Sequence, residues 1–395
     1  RATREESHTT RARANTLREL MTRPRTKKIY DQREILEVLD TCVSCKACKS
    51  ECPSNVDIAR FKAEFLQQHY DVCGVPMKAF LIARLTEIQR LGTILPWFYN
   101  AVVRNRMTGG MLKRMLHFAP ERAIPTLYKT TLKHWLGRYR RKNRGETVGK
   151  VFLFADEFTN YMDVEIGIKM IELLDWLGYE VIIPKHVESG RTAISKGMLE
   201  VAKGVARKNV LLLKDLVTEN IPLVGIEPSC ILSFRDEYPD LVGEDLKEEA
   251  VRLGKNCLLY DEFFTREIRA GRIQAEQFTD QPLKIMLHGH CHQKSLASVE
   301  PSREMLSLPV NYSVEVIPSG CCGMAGAFGY EKKHYELSMK IGEQVLFPAV
   351  RGAGENVCIS APGTSCRQQI KDGTGKQALH PIEVLYEALK CTKEK

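Results

Sequence analysis

Four cysteines in TCVSCKACKSECPSN constrain this chain more than any other feature. Cys42, Cys45, Cys48 and Cys52, followed by Pro53, spell C-x2-C-x2-C-x3-C-P. Three thiols two residues apart can wrap one face of a compact metal centre. A short loop cannot reach the far corner, so a further ligand has to come from elsewhere. Zinc would favour two separated C-x2-C pairs. The spacing is that of a bacterial 4Fe–4S run, whose fourth cysteine serves a different cluster. Cys42, Cys45 and Cys48 therefore need another thiolate and Cys52 a second cluster, which predicts one or two 4Fe–4S clusters here.

The 395 residues contain 13 cysteines, an odd count in a chain too long to need disulfide staples. With no secretion signal among the opening residues, the thiols read as reduced, in a cytoplasmic setting. No apolar run approaches the ~18–20 residues that span a bilayer. The first residue is Arg1 rather than Met, which reads as a processed terminus or a piece of a longer polypeptide. Net charge is +9, unevenly spread: residues 1–144 carry 29 Lys/Arg against 13 Asp/Glu, and residues 145–395 carry 29 against 36. The break, near 140–150, predicts a domain boundary.

The first part, 1–145, reads as an all-α ferredoxin-like domain with a basic helical extension. Val56–Tyr70 has Ile58, Phe61, Phe65 and Leu66 at helical spacing behind a Ser54–Asn55 cap. Further helices are predicted over Met77–Leu91 and Ile124–Arg144. From Lys150 short apolar strands alternate with helix-length segments: Val151–Phe154, Glu180–Ile183, Leu223–Ile226, Cys257–Tyr260, Lys284–Leu287, Val314–Ile317 and Val357–Ile359. That alternation predicts α/β units with parallel sheets. The second part is also internally repeated. Ile183-Pro184 aligns with Ile317-Pro318, and IEPSC ending at Cys230 aligns with SAPGTSC ending at Cys366. The fold class is thus a helical domain followed by a duplicated α/β cysteine-rich domain, copy one at 150–280 and copy two at 283–390.

Copy two carries the second constellation: Cys291 in LHGHCHQK, Cys321 and Cys322 in SGCCGMAG, and Cys366 in PGTSC. All follow strand C-termini, where an open α/β sheet presents its ligand crevice. Gly323 would let backbone approach a bound cluster, and Cys230 could add a thiolate across the interface of the copies. His288, His290 and His292 alternate around Cys291. They either form a hydrogen-bonding shell, with His290 beside the cofactor, or act directly in ligation or proton transfer.

Residues 104–144 hold twelve Lys/Arg and one acid, Glu121, with the aromatic residues Trp97, Phe98, Trp135 and Tyr139 set before and among them. Such a segment suits either a solvated helical face or a contact with an acidic partner or, peripherally, with an anionic membrane, here its inner face. No recognition motif accompanies the charge, so nucleic acid is not expected. The sequence has no G-x-G-x-x-G, P-loop, H-E-x-x-H or G-x-S-x-G, hence no flavin or nicotinamide site of its own and no catalytic residue to name.

The C-x2-C-x2-C-x3-C-P run with SCKACKSECPSNVD, LHGHCHQK and SGCCGMAGAFGYEK resembles the iron–sulfur portion of FAD-linked 2-hydroxyacid dehydrogenases. That group includes the glycolate oxidase iron–sulfur subunit, the L-lactate-utilisation iron–sulfur protein and fused D-lactate or D-2-hydroxyglutarate dehydrogenases. Heterodisulfide reductase and anaerobic glycerol-3-phosphate dehydrogenase subunits share the CCG domain. ATREESHTTRARANTLRE is similar to the segment that follows a first cluster motif in the fused forms. The resemblance implies an FAD-binding domain or subunit outside this chain and electron transfer to a quinone or cytochrome acceptor. A heterodisulfide-reductase-like thiol–disulfide oxidoreductase is the alternative. Copy one reads HVESGRTA where a CCG would stand, and Cys366 lacks a following x-x-C, so at most one cluster is expected in the cysteine-rich domain.

Overall fold

The computed structural model describes residues 2–22, 33–143 and 145–390. Its first part is helical: α1 (Thr10–Thr22), α2 (Arg33–Asp40), α3 (Ala47–Glu51), α4 (Ile58–Cys73), α5 (Met77–Ala83), α6 (Leu85–Gly92), α7 (Pro96–Arg104), α8 (Arg106–Met115) and α9 (Leu132–Arg138). The helix expected to start at Val56 starts at Ile58. Its cap is Asp57, whose carboxylate accepts from the Arg60 N–H at 3.1 Å. The 77–91 helix is broken at Arg84, which leaves the helical region with ψ near 31°. Only Leu132–Arg138 is helical in 124–143, capped by Thr131; Pro125 disfavours a helical Ile124 before it.

All seven expected strands form, within two residues of their predicted ends. β1 (Gly149–Phe154), β2 (Tyr179–Ile182), β3 (Leu223–Gly225) and β4 (Cys257–Leu259) make a parallel sheet of order β2-β1-β3-β4. β5 (Leu283–Leu287), β6 (Tyr312–Val316) and β7 (Val357–Ser360) make a second parallel sheet of order β6-β5-β7. The order second–first–third recurs in both, and the aligned Ile-Pro pairs directly follow β2 and β6. Parallel strands need helical crossovers, so both faces are covered and the strands read as continuous apolar runs.

One apolar core joins the two sheets. Val151 and Leu153 of β1 and Ile285 and Leu287 of β5 lie in it with Tyr260, Phe263 and Ile382. Leu132 of α9 reaches the same core, against α10 (Val164–Trp176), where a Cβ on Gly167 would collide with it.

The basic segment does not form one face. Arg122 is buried at 1 % exposure, held by Asp372 (2.5 Å), the Gly329 carbonyl (2.9 Å), Gln369 Oε1 (2.7 Å) and Ser338 Oγ (3.1 Å). Arg141 pairs with Asp175 and Lys142 with Glu172, and Arg144 lies outside the described residues. Because Arg122 clamps the loop after α8 to the CCG half, Arg122→Met should destabilise the protein by about 3–5 kcal/mol, the cost of stranding buried partners. Adding Asp372→Asn should recover part of that loss; urea-unfolding midpoints of the three proteins check both.

Candidate metal centre

The first cysteine group is built by two residues in left-handed backbone, Ser44 (φ 50°) and Lys46 (φ 63°), which coil the loop before α3. A cavity of about 420 Å³ opens there, with Cys42, Cys45 and Cys48 in its wall and Cys52 outside it. His8, Leu337 and Ile341 also line it, and among the described residues its wall holds three thiols and no fourth. Backbone amides serve the sulfurs: Ala47 N–H points at Cys45, and Ile58 and Ala59 N–H at Cys48 from the start of α4. Burial and then the neighbouring Cys291 push the Cys45 thiol up to about 12. Such a thiol becomes a ligand only when a cation compensates the charge, which an iron–sulfur cluster does. Cys52 behaves differently. The N–H groups of Val56, Ser54 and Asn55 lower its pKa, favouring a thiolate at a separate position.

The second group gathers at the carboxyl ends of β5, β6 and β7. Thiol contacts run Cys291–Cys321–Cys322–Cys366. His288, Cys322 and Cys366 place their ligand atoms within 4.8 Å of one another. His288 Nδ1 pairs with Ser319 Oγ at 2.7 Å, and its buried Nε2 has no partner among the described residues. An orphaned imidazole nitrogen beside the thiols of Cys322 and Cys366 fits a metal-binding pocket. His290, chosen from the sequence, has its own partners: Nδ1 accepts the His292 N–H, and Nε2 lies 3.8 Å from Glu227; its ring and Cys366 Sγ both border Gly363. Gly323 (φ 96°) is required by packing, since a Cβ would run into the Ser338 carbonyl.

A chain of buried contacts orients the Cys291 loop. Asp261 accepts from Gln293 Nε2 at 2.6 Å and from Ser302, and Gln293 Oε1 accepts the His290 N–H. Lys294 donates to the Ser319 and Gly320 carbonyls at 2.6 and 2.9 Å, tying that helix to the Cys321 loop.

The two groups are neighbours. The helix Cys291–Leu296 packs on α3, where His292 Nε2–H donates to the Ser44 carbonyl (3.0 Å) and Ser295 Oγ to the Cys45 carbonyl (3.1 Å). Sequence reasoning could not find this seat, nor Lys46. Buried at 2 % exposure, Lys46 lies 3.2 Å from Asp57 and 3.0 Å from Glu237 and also contacts Asp236.

Cys230 stands apart from the thiol chain. Its sulfur lies within 4.8 Å of Asp156 and Glu157, all three buried. Asp156 and Glu157 follow β1 as His288 follows β5, and Cys230 follows β3 as Cys366 follows β7. Copy one thus has carboxylates where copy two has imidazole and thiols. Asp156 Oδ1 accepts from Phe158 and Thr159 N–H and Oδ2 from Thr159 Oγ1; Glu157 accepts from Ser189. Burial and then the Glu157 charge push the Asp156 carboxyl up to about 8. The folded state therefore holds a proton that the unfolded chain releases near ~3.9. Stability should decline as pH rises from about 4 to about 8. Asp156→Asn keeps the amide-facing oxygen and should flatten that decline. Urea midpoints across the window check it, and an unchanged slope would assign the effect to other groups.

No family model matches the chain. D-2-hydroxyglutarate dehydrogenase of Escherichia coli (strain K12) is 26% identical over 370 residues, 91% of this chain and 35% of that protein. A subunit of the anaerobic glycerol-3-phosphate dehydrogenase of the same organism is 26% identical over 339 residues, 85% of this chain and 83% of that protein. Lactate utilization protein A of Bacillus subtilis (strain 168) is 27% identical over 248 residues, 60% of this chain and 98% of that protein. The chain spans about a third of the length of the D-2-hydroxyglutarate dehydrogenases it matches. It is a homologue of those dehydrogenases, of the anaerobic glycerol-3-phosphate dehydrogenase subunit and of lactate utilization protein A, as an iron–sulfur, CCG-type module would be.

Proposed function

We propose that the chain is the iron–sulfur electron-transfer module of a flavin-dependent 2-hydroxyacid dehydrogenase. It would take electrons from an FAD held outside the chain and deliver them to a quinone or cytochrome acceptor. The observation that supports this best is the seat of the Cys45 loop on the helix that begins at Cys291. Two thiol groups from distant sequence meet there in a buried setting, as consecutive redox stations must. The homologues are dehydrogenases or subunits of dehydrogenase complexes, which agrees with an oxidoreductase role.

In this reading Cys42, Cys45 and Cys48 hold a 4Fe–4S cluster with a ligand from outside the described residues, and Cys52 serves a second. Cys291, Cys321, Cys322 and Cys366, with His288, hold the centre in copy two. Iron–sulfur clusters supply one-electron storage at such positions. This chain's residues do the rest. Amide N–H groups stabilise the thiolates, Lys46 locks the loop between them, and Asp261–Gln293 fixes the orientation of Cys291. Residues 1–145 form the ferredoxin-like part, and copy one (150–280) is the scaffold against which copy two (283–390) is set.

The test is Cys322→Ser in the complete protein. Iron content should fall and acceptor turnover should drop by at least ~10-fold, in line with losing a metal ligand. Flavin reduction by substrate should persist, since it precedes this site. A Cys322→Ser protein with full iron and full acceptor turnover would end the electron path at the helical cysteines. A loss confined to disulfide-substrate reduction would favour the thiol–disulfide alternative.

A further inference from the structure

Far from the thiols in sequence, α7 and α8 turn their large apolar side chains outward. The helices meet at Asn105, whose side chain accepts from Met107 N–H (2.9 Å) and Thr108 N–H (3.2 Å). Val103 and Gly109 are buried between them, and a Cβ on Gly109 would lie 2.5 Å from the Val103 carbonyl oxygen. The inner contact is therefore made by small groups and backbone. Outward stand Ile94, Trp97 and Phe98 in and before α7, and Met107, Met111 and Met115 along one stripe of α8. Trp97 is 70% exposed and Met107 84%. A helix of a globular protein buries its apolar stripe, so this arrangement is inverted, and an apolar patch of this kind marks an interaction site.

Charge says what covers it. No acidic residue occurs between Glu87 and Glu121. Arg90, Arg104, Arg106 and Arg114 are exposed, with no ion-pair partner among the described residues. A protein partner would meet such a patch with directional polar complements on both sides. Basic residues of one sign around Trp, Phe and Met suit a laterally uniform anionic surface with an apolar layer beneath. No helix among the described residues is long and apolar enough to cross a membrane, so the mode is lying on the surface.

We propose that α7 and α8 form a membrane-docking hairpin, with Trp97 and Phe98 entering the headgroup–acyl boundary and the arginines staying at anionic phosphates. It differs from a basic face along 104–144, since Arg122 is buried and the exposed Arg141 and Lys142 are paired with Asp175 and Glu172. The surface stands whether or not the cysteines carry clusters.

Flotation of the purified protein with phosphatidylcholine vesicles containing about 30% phosphatidylglycerol tests it. The protein should float with these vesicles and several-fold less with phosphatidylcholine alone. Trp97→Ser with Phe98→Ser should weaken binding by at least ~10-fold. Arg104→Glu with Arg106→Glu should remove the salt-sensitive part. Brominated acyl chains should quench the wild-type tryptophan signal but not that of Trp97→Phe, which retains only the partly buried Trp135 and Trp176. Unchanged iron content and thermal midpoint in these variants would show that the fold is intact. Absence of flotation, or equal flotation of Trp97→Ser/Phe98→Ser, would overturn the proposal. So would a change in that variant of oligomeric state or flavoprotein binding alone, which would make the patch a protein interface. None of these results depends on whether Cys322→Ser loses iron.

Discussion

The arrangement of both thiol groups rests on one buried ammonium. Lys46 follows Cys45 directly and enters the interior between Asp57, Asp236 and Glu237. Burial works against its charge, but Glu237 and Asp236 hold its pKa above the ordinary lysine value. Breaking a buried pair from one side costs several kcal/mol because it strands the remaining charges. The left-handed backbone at Lys46 aims the side chain inward, and the loop follows. Once Lys46 is seated, Ser44 and Cys45 present their carbonyls to His292 and Ser295, and the helical part is pinned to the CCG half.

Further ties reinforce that placement. Glu331, beyond the CCG loop, pairs with Lys78 (2.6 Å) of α5 and Lys196 (2.8 Å) of copy one. Burial notwithstanding, Lys196 and Lys78 hold its carboxyl down to about 2. Glu227, after β3, accepts from Thr364 N–H (2.9 Å) and Oγ1 (3.1 Å), joining the loop that carries Cys230 to the loop that carries Cys366. The two sheets also share an apolar core, so the crevice of copy two is framed by copy one. Copy one keeps the strand order while its own crevice holds carboxylates and one thiol.

The architecture places rigidity and exposure in different regions. Cysteines, imidazoles and their orienting carboxylates are buried around the strand ends, where the low dielectric strengthens each hydrogen bond. The α7–α8 hairpin has the reverse character, apolar groups in solvent and backbone inside. Under the proposed function both would serve: a desolvated interior that fixes the thiol groups, and a surface free to dock.

Local pattern determined much of this. The C-x2-C-x2-C-x3-C-P spacing, the seven apolar strands and the Ile-Pro repeat were legible because they depend on neighbours in sequence. Cys52, set apart from Cys42, Cys45 and Cys48 by the spacing, does not line the cavity those three share. Helix ends were less legible: Asp57 outcompeted Ser54–Asn55 as cap, and Arg84 broke a continuous pattern. What only the tertiary structure decided were the long-range choices. His288 meets Cys322 and Cys366 while His290 is tied to the His292 N–H and Glu227, a division that spacing could not give, because residues two apart in an extended segment share a side and only packing separates them. Cys230 sits with Asp156 and Glu157, a set contributed by loops more than seventy residues apart. Arg122 is a core clamp and Trp97 a surface residue, the opposite of what charge and aromaticity suggest alone. Burial is set by which faces the packed core leaves over, and no window of sequence contains that information.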